Sequence, residues 1–333
     1  GFADGRVLRV GFRLHDHGSD DFSQRGGAPP RAAHVAQPDP LAGRSGDHRA
    51  FPDCSAPARR GGDAALPGLV TIAALRRRGY TPVSIKMFVD LVGVSKANSS
   101  VHYAMLEYCI REDLKLKKSR MMAVLDPVKL IIDNYPEGQT EELPVPNNTE
   151  NPDLGDRMVP FSRELYIERE DFMEEPPKKY SRLFPGNEVR LFGAYFVTCT
   201  GCEKDSAGNI TAVHCTYDPE TKSGSGFTGR KVKGTIHWVS AAEAVQAECR
   251  LYENIVDEEK GKLNEDGTLN LNPNSLTVVK NCYVEPALGS AEAFDSFQFM
   301  RNGYFCVDCK DSAAGHLVFN RIVSLKSSFK INK

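Results

Sequence analysis

The chain changes its chemical vocabulary at Thr71, and that break limits how much of it can share one core. Residues 1–70 contain no Lys, Glu, Ile, Asn, Thr, Tyr, Met or Trp. They place Arg, Gly, Ala, Pro, Asp and Ser in no periodic order, with four Phe as their only aromatic residues. Such a segment offers too little patterned apolar surface to offset the entropy of ordering it. Two readings account for it: a disordered arm in which nine Arg oppose eight Asp, or translation in a wrong reading frame. The absence of so many common residue types favours the second. From Thr71 onward the full alphabet returns, patterned first for helices and then for strands.

The 333 residues, 41% apolar and 26% charged, would make two or three ordinary globular domains. A net charge of −2 gives no global pull on nucleic acid, so any such role rests on local clusters. No run of 18 apolar residues is present, and the N-terminus lacks a signal-peptide core, so a cytoplasmic address and no membrane contact are expected. Nine cysteines include the pairs Cys199/Cys202 and Cys306/Cys309. Their wide separation, and the strand-like YFCVD context that turns Cys306 and Cys309 to opposite faces, argue for thiols rather than a zinc site. No metal is expected.

Ile72, Leu75, Ile85, Phe88, Val89 and Val92 recur at helical spacing, and the Arg76–Gly79 run closes the first helix. Thr81-Pro82 reads as an N-cap followed by proline at the first helical position. A further helix is expected from about Ser99 to Leu114, capped by Ser99 and Ser100. After Met122 the period changes to two. Strands are expected over 164–169, 189–197, 210–217, 231–239, 276–284 and 317–325, with a hairpin turning at Arg301-Asn302-Gly303. On 231–239, Val232, Ile236 and Trp238 should share one face and Lys231, Lys233, Thr235 and His237 the other. Residues 140–158 and 255–275 read as polar surface loops. The fold class is mainly β with a small α part: a helical connector and then one or two antiparallel barrels.

No phosphate-cradling glycine loop, nucleophile elbow or HExxH helix is present, so no catalytic residue is assigned. Basic clusters occur at Arg76–Arg78, Lys115–Arg120, Lys178–Arg182 and Arg230–Lys233. Interleaved with Tyr180 and strand aromatics, they fit a surface that tracks phosphates and reads unstacked bases. Phosphate contacts are expected from Arg76, Arg77, Arg78, Lys117, Lys118, Lys179, Lys231 and Lys233.

Several long collinear stretches carry a more specific signal: TIAALRRRGYTP (71–82), AVLDPVKL (123–130), KKYSRLFPGNEVRL (178–191), GRKVKGTIHWVSAAEA (229–244), FQFMRNGYFCVD (297–308) and VFNRIVSL (318–325). Through them the chain from Thr71 to Lys330 resembles the C-terminal half of the bacterial glutaminyl-tRNA synthetases. Glutamyl-tRNA synthetases of the archaeal and eukaryotic type share the fold, but HWVSA and QFMRNGYFC favour the glutamine family. A stand-alone 5S-rRNA-binding barrel is the alternative of another class, and it needs only one barrel.

The resemblance implies a leader over 1–70 outside the family, a helical connector over 71–120 and tandem barrels over 121–333. The proximal barrel would take roughly 121–180 plus 290–330, and the distal one roughly 181–289. It implies a parent ligase that attaches glutamine to tRNA(Gln) with ATP and magnesium. The HIGH-like and KMSKS-like motifs of that chemistry do not occur here, so this chain alone is expected to be inactive, monomeric and without a cofactor. Anticodon contacts follow residue by residue. Arg120, Gln298 and Arg301 match residues at the central uridine, Arg182 an arginine at the third base, a guanine, and Arg190 a contact to the first. Lys326 stands where an arginine can lie near the anticodon. Lys179, Ser181 and Phe192 depart from the family's pattern, Phe192 replacing an arginine expected near the first base.

Overall fold

The computed structural model describes residues 7–9, 71–93, 100–257, 261, 263–326 and 329. The expected leader lies outside these apart from Val7–Arg9 (β1), which pairs antiparallel with Ser100–His102 (β2). Threonines start the first two helices. Thr71 Oγ1 accepts the Ala74 N–H at 3.1 Å at the head of Ile72–Arg78 (α1). Thr81 Oγ1 does the same for Ser84 at 3.0 Å, ahead of Pro82–Val92 (α2). Gly79 ends α1 in the left-handed region at φ 102°. An added Cβ there would stand 2.5 Å from Cys306 Cβ, so glycine serves both the turn and the close approach.

The third helix, Tyr103–Leu114 (α3), starts later than expected. Ser100 lies in β2 and Ser99 outside the described residues, and His102 occupies the N-cap without a side-chain bond. Ile72, expected on the buried stripe, is 74% exposed, and Val89 is also exposed. Leu75, Phe88, Leu106, Ile110 and Leu114 instead form the cluster that packs on Tyr304, Cys306 and Ile322 of the later strands.

The remaining elements are strands: Arg120–Met121 (β3), Ala123–Val124 (β4), Pro127–Ile132 (β5), Thr140–Pro146 (β6), Asp156–Ser162 (β7), Glu164–Glu168 (β8), Glu188–Leu191 (β9) and Phe196–Lys204 (β10). Then come Ile210–Asp218 (β11), Thr235–Ile236 (β12), Val239–Ser240 (β13), Val245–Tyr252 (β14), Leu276–Val284 (β15), Ser296–Phe299 (β16), Gly303–Val307 (β17) and Leu317–Val323 (β18). One seven-stranded sheet runs β12-β9-β10-β11-β5-β8-β13, and another β3-β16-β17-β18-β14-β15-β4. In the first, the two edge strands are neighbours in sequence, separated only by His237 and Trp238. In the second the edges are β3 and β4, separated only by Met122. Each sheet therefore curls round until one broken segment supplies both of its edges, which is how a barrel hides its unpaired backbone.

Most pairs are antiparallel, as expected, but each barrel also holds two parallel ones: β5 with β11 and β9 with β12 in the first, β14 with β18 and β3 with β16 in the second. The boundaries differ from those expected. Barrel one is continuous over 127–240, whereas barrel two takes its edge strands from 120–124 and the rest from 245–323. Residues 127–180 thus join the continuous barrel and 245–289 the split one, because hydrogen-bond partners rather than sequence neighbours decide membership. Two barrels also exceed what the single-barrel alternative needs.

Local patterning misleads at three places. The expected strand 189–197 is a hairpin of β9 and β10, turned at Gly193 with φ 70° and closed by Leu191 N–H to Tyr195 O at 2.8 Å. The expected strand 231–239 is only β12 and β13, with His237 and Trp238 both buried between them. Trp238 packs edge-on against Phe161 and donates Nε1–H to Phe192 O at 3.0 Å. His237 leaves its expected polar face: Nε2 donates to Ala123 O at 2.9 Å, joining the two broken segments. The loop expected over 140–158 is largely the ribbon β6–β7, whose Leu143, Val145, Val159 and Phe161 belong to barrel one's core.

Candidate nucleic-acid interface

Between the barrels a pair of carboxylates holds two of the expected base-reading arginines. Glu170 and Asp171 lie in a short 3-10 turn after β8. Phe172 and Leu183, both buried in barrel one's core, bridge to each other, and Leu183 N–H donates to Asp171 O at 2.9 Å. This anchoring presses the Asp171 side chain to 0% exposure and brings Arg182 beside it. Arg182 Nη1 donates to Asp171 Oδ1 at 2.7 Å and to Glu170 Oε1 at 2.9 Å. Arg301 arrives from barrel two, at the β16–β17 turn, with the unusual φ of 67°. Its Nη1 donates to Asp171 Oδ2 at 2.6 Å and its Nη2 to Glu170 Oε1 at 2.7 Å.

The electrostatics follow from these bonds. Burial pulls the Arg301 pKa down, but the bond and charge of Asp171 outweigh it and raise it. Chiefly through the Arg182 hydrogen bond, Glu170 is held below the usual carboxylate range. Tyr180 donates its hydroxyl to Glu170 O at 2.9 Å, and burial pushes its pKa up to about 12.

Arg120 and Gln298 are also brought together, as register partners in the parallel β3–β16 pair. Arg120 Nη1 donates to Thr149 Oγ1 at 2.6 Å and Nη2 to Glu150, while its buried Nε has no partner among the described residues. Glu150, also paired with Lys115, is held below its ordinary pKa, first by the Arg120 hydrogen bond. The side chain of the half-buried Gln298 makes no hydrogen bond among the described residues, while its backbone N–H donates to Ser119 O at 2.9 Å. Its amide keeps both a donor and an acceptor for a ligand.

Arg190 belongs to a different group, on barrel one. Its guanidinium lies 4.3 Å from the centre of the Phe196 ring, and Nη1 donates to Ser223 Oγ at 2.9 Å. Burial lowers its pKa. Arg230 lies over the same ring at 5.3 Å and over Phe227 at 5.4 Å, tethered to Glu188 and Asp218. Phe192, where the resemblance expects arginine, packs against the barrel core.

The expected phosphate contacts separate into two kinds. Arg77 and Arg78 are buried and cannot meet a phosphate: Arg77 pairs with Asp308, and Arg78 Nε donates to Arg321 O at 2.9 Å. Their place in a charged run hid this, because the helix turns both toward barrel two. Lys117 is exposed but engaged by Asp113, and Arg76 lies over the Phe294 ring at 5.2 Å. Lys118, Lys179, Lys231 and Lys233 make no ion pair among the described residues, and the last three are exposed. Lys326, just beyond β18, is exposed as well and does not join either arginine group. Of the cysteine pairs, Cys306 is buried in β17 while Cys309 lies in the following turn, and buried Cys199 faces Cys215 across β10–β11 rather than Cys202.

Sequence reasoning missed Glu170, Asp171 and Phe227. Glu168-Arg169-Glu170-Asp171 reads as an ordinary solvated charge run, and only Asp171 standing directly before Phe172 hints at burial.

Comparison with known proteins matches both barrels to domains of one kind. Two families described as class I (E and Q) tRNA synthetase anticodon-binding domains match residues 119–218 and 235–308. A glutamine–tRNA ligase of Clostridium perfringens is 57% identical over 269 residues, covering 80% of this chain and 48% of the relative. Those of Clostridioides difficile (54%, again 80% and 48%) and Vibrio vulnificus (51%, 79% and 47%) are similar. The chain spans about half the length of the relatives it matches.

Proposed function

Because this chain belongs to the class I glutamate and glutamine tRNA-synthetase family through its anticodon-binding domains, we propose that it binds tRNA(Gln) and reads the anticodon. The observation that carries this reading is the meeting of Arg182 and Arg301, from different barrels, on Glu170 and Asp171. Two guanidiniums fixed side by side present donors to neighbouring bases splayed from a loop. Arg182 reads the third base, a guanine, whose O6 and N7 suit a guanidinium edge. Arg301, Gln298 and Arg120 read the central uridine, and Arg190 meets the first base. Lys118, Lys179, Lys231 and Lys233 neutralise backbone phosphates, and Lys326 lies near the anticodon.

In the parent ligase, which attaches glutamine to tRNA(Gln) with ATP and magnesium, this grip positions the acceptor end at a distant site. The chain's own share is binding, as a cytoplasmic monomer, without adenylate formation. Among the described residues no helix is long and apolar enough to cross a membrane. A filter or gel assay with tRNA(Gln) and a non-cognate tRNA tests the reading: cognate binding should be tighter and weaken with salt. Equal binding of both at every salt concentration overturns it. An absence of ATP–pyrophosphate exchange is the expected companion result.

A further inference from the structure

Resting on that anticodon reading, we infer that Glu170 and Asp171 are shared positioning residues that make recognition of the second and third anticodon bases interdependent. The argument begins with which nitrogens the carboxylates occupy. Arg182 spends only Nη1 on them, at 2.7 and 2.9 Å, and its guanidinium makes no other hydrogen bond among the described residues. Its Nε and Nη2 donors form the side edge of the guanidinium, two parallel N–H groups that match O6 and N7 of guanine. Arg301 spends Nη1 and Nη2, one on each carboxylate, and keeps Nε–H toward its own base.

Charge balance supports the same assignment. Two guanidiniums and two carboxylates cancel, so the cluster exerts little net pull on a phosphate. What it offers is oriented donors, which discriminate among neutral base edges. The lysines without ion pairs supply the charge-driven part of binding.

The two carboxylates differ in role. Asp171 is fully buried and fixed by the chain on both sides, whereas Glu170 is 69% exposed and touches both arginines through one oxygen, Oε1. Neither contacts a base. Removing either takes one of its two carboxylate bonds from each guanidinium at once and so loosens both, although Arg182 and Arg301 belong to different barrels. Mutating one carboxylate should therefore damage reading at two bases together.

The test uses the full chain with Glu170→Gln and Asp171→Asn, and anticodon stem-loops of tRNA(Gln). One stem-loop carries the cognate anticodon, one has the central uridine changed to cytidine, and one has the third-position guanine changed to adenine. Affinities come from fluorescence anisotropy across a salt series. The wild-type chain should penalise each altered loop about tenfold or more. Glu170→Gln should cut both penalties at least threefold at every salt concentration and leave the thermal midpoint unchanged, which a merely structural role would not do. Asp171→Asn should do the same more severely, and if it does not fold, Glu170→Gln decides alone. Loss of discrimination at one base only, or at neither, in a variant of a discriminating wild type overturns the inference. A wild type that ignores both base changes overturns the anticodon reading itself, a separate and recognisable failure.

Discussion

Asp308→Asn should be among the most damaging single-atom-scale changes in this protein, and its cost can be worked from the contacts. The Asp308 side chain is 0% exposed and receives Arg77 Nε at 2.9 Å and Nη2 at 3.0 Å. It also accepts Asn320 Nδ2 and the backbone N–H groups of Lys310 and Asp311. Arg77 is itself only 6% exposed, so the substitution strands a buried cation. Breaking a buried pair from one side costs about 3–5 kcal/mol. Asp311 still holds Arg77 at 2.9 Å, which places the expected loss near the lower end, about 3 kcal/mol. Urea unfolding of the full chain followed by circular dichroism would show it as a lower midpoint at unchanged slope. Arg77→Met should cost less than the pair together would suggest, with a coupling of about 1–3 kcal/mol in the double mutant.

The pH dependence has a definite sign. Burial pushes the Asp308 pKa up, but the Arg77 and Asn320 hydrogen bonds outweigh it and hold it below the ordinary value. A depressed folded pKa gives stability that is present above the unfolded value, about 3.9, and lost as pH falls through the folded one. The variant should lose that acid-side slope. A destabilisation under about 1 kcal/mol would refute the reasoning. So would an Arg77→Met chain that keeps its stability but loses salt sensitivity in tRNA binding, since Arg77 would then face a phosphate.

Three further outcomes are expected. Gly79→Ala should destabilise by about 2–4 kcal/mol, combining the left-handed backbone with overpacking against Cys306, and a thermal melt within 2 °C of wild type would contradict it. Lys179→Gln and Lys231→Gln should each flatten the slope of log K against log salt by about 0.7 and weaken all tRNAs alike; a change in base preference with no change in slope would reverse their assignment. His214 Nδ1 donates to Asp133 at 2.8 Å and Nε2 to Glu203 at 3.2 Å, and chiefly the Asp133 bond raises its pKa above 6.5. That stability is complete below about 6.5 and lost as pH rises through the folded value, so an imidazole NMR midpoint at or below 6.5, or one unmoved by Asp133→Asn, would count against it.

Features set by short-range chemistry were legible in the sequence: the Thr81 cap, Gly79 and the 301–303 hairpin. The resemblance reached further, grouping Arg120, Gln298 and Arg301 at one base and setting Arg182 at another, without showing that Arg182 and Arg301 meet. What stayed hidden depends on partners distant in sequence. Alternation alone could not show that Gly193 turns a strand back, nor that His237 is drawn inward by the Ala123 carbonyl. Arg77 and Arg78 look solvated until Asp308 and Arg321, more than two hundred residues away, are folded over them. Glu170 and Asp171 became visible only once both arginines had arrived.

The insertion of one barrel in sequence between the strands of the other bears on how the chain is made. Strands β3 and β4 leave the ribosome early, yet their partners β16 and β15 follow only after the whole of barrel one. At ~5–20 residues per second, the apolar Met121 and Ala123, which pack in barrel two's core, wait on the order of ten seconds for cover. Barrel one is complete at Ser240 and already contains the groups that hold this waiting segment: His237 grips the Ala123 carbonyl, and Glu168 accepts the N–H groups of Leu125 and Asp126. The finished domain thus acts as a jig for the unfinished one, keeping its first two strands on station until the last are synthesised.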